Sequence, residues 1–493
     1  MPASLCSSSV VSAVGRFVFI VAIVSMVATS AWAADASRSR PNFVIFLADD
    51  VSWDDIGAYG NPHIKTPNLD RLAKQGMRFD HAFLTCSSCS PTRCSIMTGR
   101  YPHSTGAMNL HEPLPANQLM FTTPLRKAGY FTGAAGKWHL GPDAKKQMDR
   151  VMPRAGASGA ENWLELLRER PKDKPFLLWY ASRDAHRPYK PGAIEKPHTA
   201  DDVRVPPYLP DLPEVRRDLA MYYDEISRLD KNIGLVLDEL DRQGVADNTF
   251  VLFLADNGRP FQRCKTTVHD SGVRTPFIVR WPGHVTPKTV TKSIVSVIDI
   301  APTILAIAGL DTQPSFQGKS FLPILKNPTA EIRQYAFSEH NWHVFKAFER
   351  SVRDKRYRYI YNALPELAAK FNDPGITTTV MNELCEQGKL TEAQLQGHSA
   401  PGPLEMLYDC EADPHNMKNL IDDPRYMMVK FKMRQLLAQW RQQTNDKMPE
   451  KLKEDRKGVS REPYIRLNKT PKRAPGGRTE NCCQCHGMSG SDE

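Results

Sequence analysis

A twelve-residue segment, 89–100, combines a nucleophilic side chain with an anion-binding pattern in the sequence CSPTRCSIMTGR. Pro91 suits the first turn of a helix, so Cys89 should stand at a helix N-terminus. The free N–H groups and the dipole of that terminus favour a bound anion. Arg93 adds a guanidinium group that can bind an oxyanion through two parallel hydrogen bonds. The segment therefore predicts nucleophilic chemistry on an oxyanion, and a structural cysteine in a Ser-rich turn is the alternative.

Two polar pairs follow apolar runs that are typical of buried parallel strands. Asp49 and Asp50 come directly after the run 42–48, and Asp256 and Asn257 come after a second run of the same kind. The carboxyl ends of parallel strands meet at one edge of a sheet, so these four side chains should lie together. Oxygen ligands without histidine or cysteine suit Ca²⁺ or Mg²⁺ rather than Zn²⁺. The alternative for either pair is an ordinary polar strand end or helix cap.

Four basic side chains could act on the same anion. Lys137 and His139 follow a short apolar stretch, and they project to the same side if the chain is extended there. His186 lies just past the apolar run 176–181 and is a candidate general acid for a leaving nitrogen or oxygen. Lys265, a few residues beyond the second polar pair, could reach the same anion. Each is a weak signal alone, because exposed lysine and histidine are common.

These side chains need a sheet whose strands end at one edge. Apolar runs at 42–48, 176–181 and 249–255 predict buried strands, and apolar residues spaced three and four apart predict a helix over about 213–243. Strands that alternate with helices imply an α/β fold, with a large, mixed, mainly parallel sheet sandwiched by helices. We assign this catalytic domain to residues 34–330.

The pattern changes beyond residue 330. Residues 350–362 alternate apolar and basic side chains around a turn, which predicts a β-hairpin. Residues 404–408 predict a further strand, and 426–441 predict an amphipathic helix. We therefore expect a smaller C-terminal α+β domain on an antiparallel sheet over 331–450.

The composition and the N-terminus indicate a well-packed, exported protein. Hydrophobic residues make up 41% of the 493 residues, which supports a large core and excludes a disordered chain. A basic residue precedes the apolar run 17–28, and Ala31-Trp32-Ala33 fits a cleavage site, so residues 1–33 are predicted to be a signal peptide. We expect a secreted or periplasmic protein without a stable membrane span, and an uncleaved anchor is the alternative. Ten cysteines are too few for a disulfide-built fold of this length.

Residues 451–493 are predicted to form a basic, solvated and mobile tail. Between 451 and 480 there are ten Lys and Arg against four Asp and Glu. Such a tail can bind a polyanionic partner, or it can simply keep the protein soluble. Residues 482–486 match the C-x-x-C-H pattern of haem attachment, but no helical domain surrounds them, so disulfides or incidental metal binding are favoured.

The ordered motifs of residues 41–420 resemble the sulfatase family of the alkaline phosphatase superfamily. The segment 89–100 resembles the signature of the type I sulfatases, in which the cysteine of a C-x-P-x-R pattern followed by T-G-R is oxidised to Cα-formylglycine. The other motifs that carry the resemblance are Pro41-Asn42-Phe43 with Asp49-Asp50, Thr66-Pro67-Asn68-Leu69-Asp70-Arg71-Leu72, Gly136-Lys137-Trp138-His139-Leu140-Gly141, Asp256-Asn257-Gly258 and Leu407-Tyr408-Asp409.

The resemblance implies a calcium-dependent sulfatase with a formylglycine made from Cys89. It implies that Ca²⁺ binds to Asp49, Asp50, Asp256 and Asn257. The modified residue 89 would face the same metal ion.

The resemblance also implies how the sulfate is held and released. Arg93, Lys137 and Lys265 would bind the sulfate, and His139 would support the nucleophile and its regeneration. His186 would protonate the leaving group. The implied partners are a sulfated saccharide and a formylglycine-generating enzyme; no nucleic acid is implied, and homo-oligomer formation is left open.

Within the family, the segments 206–237 and 338–340 resemble the heparan N-sulfatases. This implies N-sulfoglucosamine at the non-reducing end of heparin-type or heparan-type chains as the substrate. His340 and His343 would then be substrate contacts, or else surface histidines. Position 265 is Lys, as in most sulfatases, where the N-sulfatases have Arg. An O-sulfatase acting on another glycan or an aryl sulfate is one alternative, and a catalytically silent glycan-binding protein is another.

Overall fold

An eight-stranded, mainly parallel sheet positions the residues singled out above. The computed structural model describes residues 40–367, 375–459, 465–467 and 483–485. In chain order the strands are β1 (Asn42–Ala48), β2 (Met77–Phe79), β3 (Ala82–Phe83), β4 (Phe131–Gly136), β5 (Arg150–Met152), β6 (Phe176–Ala181), β7 (Thr249–Ala255), β8 (Phe277–Arg280), β9 (Thr289–Thr291) and β10 (Val295–Ser296). The spatial order is β5-β4-β6-β1-β7-β8-β2-β9, while β3 pairs separately with β10.

β1 lies inside the sheet, hydrogen-bonded in parallel to β6 and β7. At the carboxyl ends, Leu47 pairs with Ala181, and Ala48 pairs with Ala255. β4 continues the parallel register, with Gly136 opposite Ala181. β8 runs antiparallel to β7 and β2, so the sheet is mixed. The residues that follow β4, β6, β1 and β7 therefore emerge at the same edge.

Helices cover the sheet. In chain order they are α1 (Pro67–Lys74), α2 (Cys89–Thr98), α3 (Pro102–Thr105), α4 (Thr122–Lys127), α5 (Trp163–Glu169), α6 (Pro213–Arg242), α7 (Asp270–Val273), α8 (Ile300–Ile307), α9 (Leu322–Lys326), α10 (Ile376–Glu386), α11 (Glu392–Leu395) and α12 (Met427–Gln443). Short 3₁₀ turns occupy Gly57–Tyr59, Asp143–Gln147, Ala246–Asn248, Val297–Asp299 and Pro424–Tyr426.

Alternate residues of β1 face two separate hydrophobic layers. Val44 and Phe46 pack in one layer together with the buried face of α6. Phe43 and Ile45 pack in the other layer, which includes residues of α2 and α8. A strand that is buried on both faces must be apolar throughout, which explains the continuous apolar run in the sequence.

A second, antiparallel sheet follows the first along the chain. It consists of β11 (Ala336–His340), β12 (Glu349–Arg353), β13 (Tyr357–Asn362) and β15 (Glu405–Asp409), paired in that order. One side of this sheet packs against Met433, Leu437 and Trp440 of α12. The short strands β14 (Ser399–Ala400), β16 (Ile465–Leu467) and β17 (Cys483–Cys485) form a small separate sheet.

The predicted fold class is confirmed, since a mixed, mainly parallel sheet with helices is joined by a separate antiparallel sheet. The helix predicted over 213–243 is α6, and the hairpin predicted over 350–362 is β12 and β13. The described residues from Pro41 onward form one compact unit, so the domain boundary at 330 stays a prediction. The signal peptide at 1–33 lies outside the described residues. Within the described ranges, no helix has both the length and the apolar character needed to cross a membrane.

A buried charge cluster ties the second sheet to the rest of the chain. Arg350 of β12 binds both carboxylate oxygens of Asp446, at 2.7 and 2.8 Å, just after α12. The same guanidinium lies 3.5 Å from Glu339 of β11, and Glu339 in turn lies 2.9 Å from Nδ1 of His103 in α3. The side chains of Glu339, Arg350 and Asp446 are fully buried. Each therefore depends on the others for charge compensation.

Replacing Arg350 should therefore be strongly destabilising. Arg350→Met would leave two buried carboxylates without their guanidinium, and we expect the free energy of unfolding to fall by about 3–5 kcal/mol in urea denaturation. Arg441→Met is the matched control, because Arg441 also bonds Asp446, at 3.1 Å, but is 30% exposed. That control should cost about 1 kcal/mol or less. Equal losses in the two variants would contradict the assignment of Arg350 as the central charge.

Candidate active site

The edge of the main sheet gathers the predicted nucleophile and the predicted metal ligands. Asp49 and Asp50 follow β1, and Asp256 and Asn257 follow β7. Cys89 is the first residue of α2, as predicted, and its side chain is only 2% exposed. Its Sγ lies 3.6 Å from Asp49 Oδ1 and 4.0 Å from Asp50 Oδ1. The structure thus brings together residues that are more than 160 positions apart in sequence.

This cluster has the donors that a hard divalent cation requires. One ligand atom from each of Asp49, Asp50, Cys89 and Asp256 lies within 4.8 Å of the others, and all four residues are buried. Asn257 donates from Nδ2 to Asp50 at 2.5 Å, while its buried Oδ1 has no hydrogen-bond partner among the described residues. A buried oxygen without a donor is unfavourable unless a cation or another ligand satisfies it. The residues therefore fit Ca²⁺ or Mg²⁺.

Three cations compensate the three carboxylates. Lys137 is paired with Asp49, Lys265 lies 2.8 Å from Asp50, and Arg93 lies 2.7 Å from Asp256. All six charged groups are largely buried, so an unpaired charge among them would be costly. The cluster is electrically neutral by itself, and a bound divalent cation would give it a charge of about +2, which favours an anionic ligand.

Burial and neighbouring charges shift the pKa values of the cluster in different directions. Burial opposes ionisation of Asp49, but Lys137 and other cations outweigh it and hold the Asp49 pKa below its usual range. Burial raises the pKa of Asp256, and the Asp49 carboxylate raises it further. Burial also raises the pKa of the Cys89 thiol to about 12, although Lys137 opposes this. A thiol with that pKa stays protonated at neutral pH, so Cys89 as cysteine is a poor nucleophile.

The two predicted catalytic histidines lie at different points around the cluster. His139 has a φ of 56°, so the chain is not extended there, and the condition under which Lys137 and His139 would project to the same side is not met. Its Nε2 is 2.7 Å from Nδ1 of His111, a residue that the sequence did not single out. Burial and the charge of Lys137 lower the pKa of His139 to about 2, so its ring is neutral.

His186 is oriented by the backbone next to it. Its Nδ1 lies 2.6 Å from the carbonyl oxygen of Arg187 and donates to it in the neutral ring. Nε2 is then the nitrogen that can exchange a proton with a ligand. Burial, followed by the charge of Lys265, lowers the pKa of His186.

The two predicted substrate-contact histidines also lie near the cluster. His340, at the end of β11, has Nδ1 3.0 Å from Glu349. Nδ1 of His343 is 2.8 Å from the hydroxyl of Ser88, which precedes α2. Both histidines, together with Cys89, line one large cavity. Their role as substrate contacts stays a prediction.

That cavity has a volume of about 1220 Å³. Lys137, His139, His186 and Lys265 also line it, whereas the carboxylates and Arg93 lie beneath its surface. Further lining residues that the sequence analysis did not identify as site residues are His111, Arg154, Arg183, Arg187 and Arg456. Two of these residues, Arg183 and Arg187, lie close to His186 in the sequence, so the segment around this histidine could have identified them.

The start of the C-terminal tail packs beside the cavity, a contact that the prediction of a mobile tail from 451 onward did not include. Most of its side chains are exposed, as expected for a solvated segment. Trp342 Nε1 donates to the carbonyl oxygen of Glu454 at 2.7 Å, and the amide of Arg456 donates to Val344 at 2.9 Å. Lys453 lies 4.1 Å from the centre of the Trp342 ring. Residues 451–459 are thus held in place, while 460–493, apart from the two short strands, lie outside the described residues.

Comparison with family models supports the same chemistry. A sulfatase model matches residues 41–310, which include the cluster and the lysine and histidine segments. A second model, described as N-sulphoglucosamine sulphohydrolase, C-terminal, matches residues 262–396.

Individual relatives match over most of the chain. N-sulphoglucosamine sulphohydrolase of Homo sapiens is 31% identical over 465 residues, covering 83% of this chain and 91% of the human protein. An ulvan-active sulfatase of Formosa agariphila is 30% identical over 457 residues, covering 81% of this chain and 74% of that protein. A solved structure described as in complex with its substrate, D-glucosamine-2-N,6-O-disulfate, has a TM-score of 0.63 at 21% identity, covering 83% of this chain and 99% of that one. At this identity the structural likeness supports the fold alone.

Divalent cations should stabilise the folded protein through the acidic cluster. We expect Ca²⁺ or Mg²⁺ to raise the melting temperature, with about 2.7 kcal/mol of stabilisation when the free cation is 100-fold above its Kd. Asn257→Ala removes one oxygen donor but leaves the three ion pairs intact, and it should raise the Kd roughly tenfold or more. Asn327→Ala, at an exposed asparagine after α9, is the control and should leave the Kd unchanged. Equal cation responses in wild type and Asn257→Ala would place the ion elsewhere.

Proposed function

This chain belongs to the sulfatase family of sulfate-ester and sulfamate hydrolases, and on that premise we propose that it removes the N-sulfate of glucosamine from heparin-type or heparan-type chains. One observation carries the proposal. The Cys89 side chain, four oxygen-bearing ligands and three cations converge beneath a cavity that also receives His139 and His186. This arrangement can bind a divalent cation and an oxyanion next to a single nucleophilic position.

We infer that Cys89 is converted to Cα-formylglycine and that Ca²⁺ occupies the acidic cluster. The hydrated aldehyde would supply nucleophilic oxygen at position 89, which the protonated thiol of Cys89 does not. Ca²⁺ supplies positive charge that polarises the sulfate oxygens. Its charge would also relieve the carboxylates of their dependence on the two lysines.

The remaining roles fall to side chains of the cavity floor and wall. Lys137, Lys265 and Arg93 provide the positive charge that binds the sulfate. His139, neutral and hydrogen-bonded to His111, would support the nucleophile and its regeneration by hydrogen bonding. In its protonated form, His186 would deliver a proton through Nε2 to the leaving nitrogen while Nδ1–H stays bonded to the backbone. Burial lowers the pKa of His186, and the negative charge of a bound sulfate would favour the protonated form.

Three observations favour an N-sulfated sugar. The N-sulphoglucosamine sulphohydrolase C-terminal model matches residues 262–396, a region that includes the cavity residues Lys265, His340 and His343. The human relative of that name matches 83% of this chain. The cavity exceeds the roughly 300–1,000 Å³ of a typical small-molecule pocket, so it has room for the end of a saccharide chain.

An O-sulfatase acting on another glycan is the second candidate. The ulvan-active sulfatase matches at nearly the same identity as the human N-sulfatase, and Lys265 is the residue common to sulfatases in general. A catalytically silent glycan-binding protein would keep Cys89 as a thiol. We further propose that the protein is exported and that a formylglycine-generating enzyme acts on it during maturation, as the N-terminal sequence and the segment 89–100 suggest.

Mass spectrometry of the tryptic peptide 79–93 tests the nucleophile. Protein produced together with a formylglycine-generating enzyme should carry the aldehyde at position 89, and Cys89→Ala should lose roughly 10⁴-fold or more in turnover. Cys94→Ser, at a second buried cysteine of α2, is the matched control and should retain the aldehyde. A persistent thiol at 89 in fully active protein would refute the formylglycine assignment.

Sulfate release from defined sugars tests the substrate. We expect hydrolysis of N-sulfoglucosamine to exceed hydrolysis of 6-O-sulfated N-acetylglucosamine by at least tenfold in kcat/KM. An N-linked sulfate has the poorer leaving group, so its hydrolysis depends on proton delivery of the kind that His186 can provide. Activity on the O-sulfate alone would establish the second candidate, and sulfate release from neither sugar nor an aryl sulfate would exclude both.

A further inference from the structure

Arg154 and Arg183 line the cavity without an acidic partner among the residues that the structure describes. Lys137, Lys265 and Arg187 each pair with a carboxylate within or beside the cavity. Arg154 and Arg183 line the same cavity, and in the part of the chain that the structure describes neither forms an ion pair. Arg183 is partly buried, whereas Arg154 is exposed. Among the described residues, the Arg183 side chain makes one long hydrogen bond, to the carbonyl oxygen of Arg187 at 3.5 Å. A partly desolvated guanidinium without a counter-ion is unfavourable until an anion binds to it.

The sheet places these arginines next to the sulfate-binding charges. β5, β4 and β6 are neighbours in the sheet, and each is followed at its carboxyl end by a cation. Arg154 follows β5 by two residues, Lys137 directly follows β4, and Arg183 follows β6 by two residues. Because adjacent parallel strands lie about 4.8 Å apart, the three cations leave the sheet side by side.

The loop after β5 brings the stem of Arg154 close to the backbone of Arg183. The backbone amide of Arg183 donates to Ser158 at 2.8 Å. Gly159 has a φ of 75°, and a Cβ at this position would lie 2.8 Å from Cγ of Arg154 and 3.4 Å from the amide nitrogen of Arg183. The stem of Arg154 therefore crosses the chain at Gly159, where the absence of a side chain allows this close approach.

We propose that Arg154 and Arg183 form a second anion subsite, which binds a further acidic group of the substrate beside the sulfate that is cleaved. The proposal rests on the proposed function in taking the ligand to be a sulfated saccharide. Two guanidinium groups suit a planar or tetrahedral oxyanion, because each can donate two parallel hydrogen bonds. The acidic group is either a second sulfate on the same sugar or the carboxylate of a neighbouring uronic acid. The subsite selects substrates that carry at least two anionic groups.

The test compares kcat/KM for three substrates of the intact, Ca²⁺-loaded protein. They are N-sulfoglucosamine, its 6-O-sulfated form, and N-sulfoglucosamine linked to a uronic acid. Wild type should prefer at least one substrate with the added anion. Arg154→Gln and Arg183→Gln should each lower that preference roughly 10- to 100-fold, mainly through KM. The substrate whose advantage disappears identifies the bound group as sulfate or carboxylate.

Two further variants separate a built subsite from a general electrostatic effect. Lys145→Gln removes an exposed cation that lines the same cavity, and it should change the preference less than twofold. Arg183→Lys keeps the charge but loses the planar fork, so it should recover only part of the preference. An equal fall in Lys145→Gln and the two arginine variants would overturn the proposal. Melting temperatures of all variants verify that the fold is retained.

Failure of the proposed function is distinguishable from failure of the subsite. If wild type releases no sulfate from any of these sugars, the N-sulfatase proposal fails. The subsite is then tested by calorimetric titration of the same three sugars into the Cys89→Ala protein, with and without Arg154→Gln and Arg183→Gln. Tighter binding of a sugar with two anions, lost in both arginine variants, supports the subsite. Identical affinities across the variants overturn it.

Discussion

Mutual compensation of buried charge is the constraint on which this site depends. Asp49, Asp50 and Asp256 lie out of water at the end of two strands, where carboxylates are tolerated only beside cations. Lys137, Lys265 and Arg93 provide those cations from three other segments of the chain. Each segment must therefore adopt its observed path for the cluster to exist. Because each of the three buried carboxylates needs a nearby cation, loops that are distant in sequence come together at this site.

The parallel sheet makes that convergence possible. Because β4, β6, β1 and β7 run in the same direction, every residue that follows them arrives at one edge. The second sheet contributes from outside, with His340 at the end of β11 and His343 just beyond it. The first sheet thus supplies the charges, and the second sheet contributes part of the wall that surrounds a ligand. A division of this kind lets the wall vary while the charge cluster stays the same.

The sequence was most informative where one physical rule dominated. Asp49 and Asp256 could be placed together because apolar runs identify buried strands and parallel strands end at one edge. The position of Cys89 at a helix N-terminus followed from Pro91. His111 could not be found, since its contact with His139 depends on a left-handed residue that no spacing rule predicts. Arg154 could not be identified from the sequence, because only the three-dimensional structure shows which acidic side chains lie near it. The contacts of 451–459 with Trp342 could not be predicted, because composition reports solvation and not which aromatic ring a segment packs against.

The anchored segment 451–459 has a practical consequence for purified protein. It contributes Arg456 to the cavity wall, and it forms hydrogen bonds with Trp342, Val344 and Lys346. A protease cut before residue 456 would detach Arg456 from the wall and uncover the Trp342 ring. Such clipped material would keep Cys89 and the charge cluster but would have a cavity wall without Arg456. Intact mass is therefore a better test of a preparation for work on glycans than activity on a small chromogenic ester.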